Sequence, residues 1–118
     1  MNKYSIYAWL DDLQMTAHLA KVSTVHSYEL QFCNNDLQLF KAIIPTAFIV
    51  DLGGLAEVEL LQIKDIPKNE LLTIIGYSQQ IAAPQVKYFK EFGCHMVIGR
   101  HELLKNLQSI LKKIFNAS

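Results

Sequence analysis

Cysteine is scarce, net charge is zero and no apolar run is long, and each shortage removes a class of protein. Cys33 and Cys94 are the only cysteines in 118 residues. Two are too few for a disulfide framework and lack metal-ligand spacing, so both read as small buried apolar residues in a reducing cytoplasm. Eleven basic side chains balance eleven acidic ones, leaving no overall field to draw the chain to nucleic acid or to an anionic membrane. The balance is uneven along the chain. Residues 1–60 carry seven acids and three bases, residues 81–118 six bases and two acids. The apolar runs fall far short of the roughly 20 residues that cross a bilayer, and the N-terminus has no signal-peptide apolar region. There is no internal repeat, low-complexity tract or linker. A chain of this length fits one domain, residues 1–118, able to bury roughly two-thirds of its unfolded surface.

What is present is an alternation of strand-like and helix-like segments. Pro45-Thr46-Ala47-Phe48-Ile49-Val50-Asp51-Leu52-Gly53-Gly54 holds four consecutive apolar residues, Ala47 to Val50, the pattern of a strand buried on both faces, with Asp51 at its end and two glycines permitting a tight turn. Tyr4–Leu10, Tyr28–Phe32, Leu71–Ile75 and His95–Ile98 read as the other strands. Helical spacing follows each strand: Leu13 to about Val22, Leu37 to Ile44 behind the caps Asn34-Asn35-Asp36, Leu55 to about Ile63, Ala82–Phe92, and Glu102–Phe115. The expected buried stripes are Leu13, Thr16, Ala17 and Ala20 widened by Met15, Leu19 and Val22 in the first helix. They are Leu37, Phe40, Ile43 and Ile44 in the second, and Leu55, Val58 and Leu61 in the third. Gly93 is placed to end the fourth helix in the left-handed conformation. Ser23–Ser27 and Gly99-Arg100-His101 read as connections. Five strands alternating with five helices imply α/β architecture: a parallel sheet covered on both faces, because each return to a parallel neighbour needs a crossover.

In such a sheet the polar residues at the carboxyl ends of the strands converge on one edge. They are Asp11 and Asp12, Asp51, Ser78 and Arg100. Three carboxylates crowded together repel, and a hard divalent ion with oxygen ligands, Mg²⁺ above all, is the natural compensation. The hydroxyl and the guanidinium could then pair with a transferred phosphoryl group. His18, His26 and His95 lack partners at metal spacing and read as structural. Tyr77 and Tyr88 flank the fourth helix and read as candidates for partner contact.

The order of acid pair, aspartate, hydroxyl and base, each at a strand end, resembles the receiver domain of two-component response regulators. Ser78 precedes Gly93 by fifteen residues and Arg100 by twenty-two, offsets similar to those of that family. The resemblance implies a flavodoxin-like (βα)5 fold with strand order 2-1-3-4-5. It further implies Mg²⁺ held by Asp11, Asp12, Asp51 and the backbone carbonyl of Gly53, phosphoacceptance by Asp51, and assisting roles for Ser78 and Arg100. The implied partners are a sensor histidine kinase or phosphotransfer protein, a downstream effector on the face of the fourth helix, fifth strand and fifth helix, and a second copy as homodimer. No enzyme is implied beyond self-catalysed phosphotransfer and autodephosphorylation. Arg100 stands where the family has lysine, His101 where it has proline and Val97 where it has an aromatic switch residue, the pattern of a pseudo-receiver that binds partners irrespective of phosphate. A flavodoxin-like enzyme or nucleotide binder is disfavoured, since no glycine-rich phosphate loop follows the first strand.

Overall fold

Five short runs rich in Ile, Val, Phe and Tyr pair side by side, and the helices between them return the chain to the same sheet edge. The computed structural model describes residues 3–33 and 41–116. The elements are β1 (Ser5–Trp9), α1 (Leu13–His26), β2 (Glu29–Phe32), β3 (Thr46–Asp51), α2 (Glu57–Lys64), β4 (Leu72–Ser78), α3 (Ala83–Glu91), β5 (Met96–Gly99) and α4 (Arg100–Asn116). The sheet order is β2-β1-β3-β4-β5 and every pairing is parallel. β3 is central, with Phe48 in register with Tyr7 on one side and Ile74 on the other.

Because successive strand residues face opposite sides, β3 feeds two cores. Ala47 and Ile49 join Met15 and Leu19 of α1 and Leu103, Leu107, Leu111 and Phe115 of α4. Phe48 and Val50 join Leu60 and Ile63 of α2, with Phe89 of α3 and Phe92 just after it packed against them. Cys33 and Cys94 are free and buried, and burial pushes their thiols up to about 12 and about 11 respectively, so neither is a thiolate at neutral pH. His95 is structural: its Nδ1 accepts the Ile74 N–H at 2.9 Å.

Several helices differ from the sequence expectation. α1 runs on to His26 and buries Met15 and Leu19, while Leu13 is 87 % exposed. α2 buries Leu60 and Ile63, leaving Val58 63 % exposed and Leu61 also outward. The expected helix from Leu37 to Ile44 lies largely outside the described residues; its described end, residues 41–44, is not helical, and Ile43 is 81 % exposed. α4 begins at Arg100, so Arg100 and His101 are helical rather than part of a loop. The termination of α3 agrees with expectation, since Gly93 adopts φ +105°. No described helix is long and apolar enough to cross a membrane.

Candidate functional site

The carboxyl ends of β1, β3 and β4 place the acidic residues and the hydroxyl at one edge of the sheet, where an open α/β sheet offers a crevice. Asp11, Asp51 and Gly53 line a cleft of about 510 Å³ together with Trp9, Leu10, Cys33 and Leu55. The Gly53 N–H donates to Asp51 Oδ1 at 3.0 Å. A methyl group placed on Gly53 would lie 3.2 Å from that oxygen and 3.8 Å from the Ser78 hydroxyl oxygen, so Asp51, Gly53 and Ser78 share one corner. Burial raises the Asp51 carboxyl above its ordinary range. The Gly53 N–H opposes this, the charge of Asp12 adds to it, and the charges of Arg100 and Asp11 lower and raise it further.

Asp12 is committed elsewhere. As the N-cap of α1 it accepts the Met15 N–H on Oδ1 at 3.1 Å. Arg100 Nε donates to its Oδ2 at 2.8 Å and Nη2 to its Oδ1 at 3.0 Å, a two-pronged ion pair. The Tyr77 hydroxyl donates to Oδ2 at 3.0 Å. The second guanidinium direction is used as well, Nη2 donating to Gln14 Oε1 at 2.9 Å. The Asp12 and Arg100 side chains are only 11 % and 22 % exposed. The Arg100 hydrogen bond, aided by Met15, Tyr77 and the guanidinium charge, holds the Asp12 carboxyl far below the usual range against the opposing effect of burial. The same pairing raises Arg100, and burial next to two carboxylates keeps the Tyr77 hydroxyl protonated.

The chain therefore brings the five expected residues to one edge but sorts them into two groups. Asp11, Asp51 and Gly53 face the cleft with Ser78 at its corner, while Asp12 and Arg100 neutralise each other. Among the described residues no three Asp, Glu, His or Cys side chains are gathered as metal ligands would be. Of the expected oxygen donors, Asp11, Asp51 and Gly53 line the cleft, while Asp12 is engaged by Arg100, Tyr77 and the Met15 N–H.

Tyr77 corrects an expectation: it is 1 % exposed and holds Asp12 rather than facing a partner. One signal pointed inward. Tyr77 sits two residues after Ile75 in a buried strand, so it shares that residue's face, and a buried tyrosine hydroxyl needs an acceptor. Tyr88, by contrast, is exposed.

Removing the Asp51 charge has a predictable consequence. A carboxyl raised in the folded state binds protons more readily there than in the unfolded chain. The ionised form therefore subtracts stability at neutral pH, and the deficit fades as pH falls through the raised value. Asp51→Asn is expected to raise the melting temperature by roughly 2–4 °C at pH 7, with the difference gone below about pH 4. Thermal denaturation across that range checks this, and a lowered melting temperature at pH 7 would contradict it.

No protein-family model and no curated protein matches the chain. Solved structures match it over nearly its whole length. A pilus assembly-related protein from Burkholderia pseudomallei has 16 % identity and a TM-score of 0.70, covering 97 % of this chain and 90 % of that one. The regulatory domain of the master biofilm regulator CsgD has 15 % identity and a TM-score of 0.71, covering 97 % and 89 %. The signal receiver domain of a DNA-binding response regulator from Colwellia psychrerythraea has 16 % identity and a TM-score of 0.63, covering 92 % and 98 %. The strand order, the parallel pairing and the acidic strand ends thus belong to a chain with the fold of response-regulator receiver domains.

Proposed function

We propose that this chain is a signalling interaction module built on the receiver fold, engaging its partner without phosphorylation of Asp51. The observation that carries the reading is the state of Asp12. Both its oxygens are taken by Arg100, Tyr77 and the α1 N–H of Met15, so the edge that would otherwise gather three negative charges carries its own cation. A planar guanidinium bound in two places, with a third bond to Gln14, is not a mobile counter-ion. It ties the first turn of α4 to the first turn of α1 as a fixed part of the fold.

A second reading has a specific observation behind it. Asp11, Asp51 and Gly53 face one cleft with the Ser78 hydroxyl nearby, which favours Asp51 as phosphoacceptor with Mg²⁺ held by Asp11 and Asp51. The two readings separate on incubation with acetyl phosphate and Mg²⁺, followed by intact-mass measurement. The expected result is no phosphoryl gain on the chain under conditions where an ordinary receiver gains one. A stoichiometric, acid-stable and hydroxylamine-labile gain that disappears in Asp51→Asn would overturn the proposal in favour of the second reading.

A further inference from the structure

α1 packs along α4, and a groove of about 230 Å³ lies between them. Leu107 forms its buried floor, with Val22 and Leu104 half-buried against the same core. Val25 stands 67 % exposed at its side. The ionisable residues lining it are His18, Lys21, His26 and Lys105, and no Asp or Glu lines it. An apolar floor between two helices, with a lysine on each, is complementary to an amphipathic helix whose apolar side enters the groove while its carboxylates meet the lysines.

The groove is also tied to the acidic edge of the sheet. Asp12 caps α1 and Arg100 is the first residue of α4, so their ion pair joins the leading turns of the two helices that form the groove. Within α4, Asn106 has φ −116° and ψ 16°, a break in the helical run. It divides the segment bearing Arg100, Leu104 and Lys105 from the segment bearing Leu107. The angle of that leading segment to α1 therefore depends on the ion pair and on the burial of Leu103.

We infer that the α1–α4 groove is a docking surface for an acidic amphipathic helix of a partner protein, held in shape by the Asp12–Arg100 pair. The inference deepens the phosphate-independent reading and rests on it for the constant presence of that pair. It places the contact on α1 and the side of α4 that faces α1, away from α3 and β5.

The test uses the full chain, labelled with ¹⁵N, and two synthetic helix-forming peptides of about five turns. One has leucine on one face and glutamate on the other; the second replaces each glutamate with lysine. Saturable shifts at Val22, Val25, Leu104 and Lys105 with the acidic peptide alone are expected. Binding is expected to weaken at least about tenfold in the Lys21→Glu, Lys105→Glu double variant, whose exposed positions leave the fold intact. The inference is overturned by shifts confined to α3, by equal binding of the two peptides, or by no binding. It is equally overturned if the groove shifts with protein concentration alone, which would make a second copy the occupant. Repeating the titration after acetyl phosphate treatment separates the two proposals. A more than tenfold change in affinity that depends on Asp51 would remove the phosphate-independent reading and leave the groove. No peptide binding by the untreated chain would remove the groove and leave that reading.

Discussion

Phe48→Ala is expected to lower stability by about 3–5 kcal/mol, and with it the melting temperature by roughly 10–25 °C in a chain of this size. Phe48 is fully buried at the middle of the central strand. Its ring lies 5.5 Å from that of Tyr7 on the neighbouring strand, and Ile74 stands in register on the other side. β3 is hydrogen-bonded to β1 and β4 at once, so the backbone around the lost ring cannot close in, and truncation leaves a cavity as well as a lost transfer contribution. Urea unfolding with an unchanged m-value is the appropriate measurement. Leu13→Ala, at an exposed position, is the control and should change stability by no more than about 0.5 kcal/mol. A Phe48→Ala effect under about 1 kcal/mol would mean that the core is not organised around β3. Because Asp51 ends the same strand, loosening β3 should also loosen the cleft, visible as faster amide exchange at Gly53.

The strands were legible because their signal is local. Four apolar residues in succession from Ala47 to Val50 require burial on both faces, and the structure buries β3 along its length up to Asp51. Helix phase was less legible. In α2, Val58 and Leu61 form one apolar row and Leu60 and Ile63 another, and eight residues are too few for periodicity to choose between them. Packing chose the second row. In α1 the same ambiguity was settled by Asp12: once its carboxylate caps the helix and grips Arg100, Leu13 is turned outward and Met15 inward. The gathering of Asp11, Asp12, Asp51, Ser78 and Arg100 at one edge followed from topology alone. Which of them pair did not, since the Arg100 contact depends on α4 starting at residue 100, and nothing in the spacing of Leu103, Leu107 and Leu111 marks that start. The role of Tyr77 lay in the alternation of β4, which sets it on the face of Ile75, one residue before Ser78.

Asp12→Ala should be the most damaging single change at the acidic edge, at about 2–3 kcal/mol, because one carboxylate serves three neighbours. The Met15 N–H at the start of α1 loses its cap, worth about 1 kcal/mol. The buried Tyr77 hydroxyl loses its acceptor, and a stranded buried donor costs about 1–3 kcal/mol; these losses share one side chain and do not simply add. Arg100 loses both prongs of its pair. Asp12→Asn separates charge from shape, since the amide keeps an oxygen for the cap while giving up the negative charge, and its loss should be smaller. The pH dependence identifies the ion pair. A carboxyl held below its unfolded value contributes stability that is complete above about pH 4 and drains away as pH falls toward the depressed folded value. Wild-type stability should therefore decline below pH 4 more steeply than that of either variant, and the curves should converge toward pH 2. Parallel curves through that range would show that the Asp12–Arg100 contact contributes nothing through its charge, leaving the leading turn of α4 without an electrostatic tether to α1.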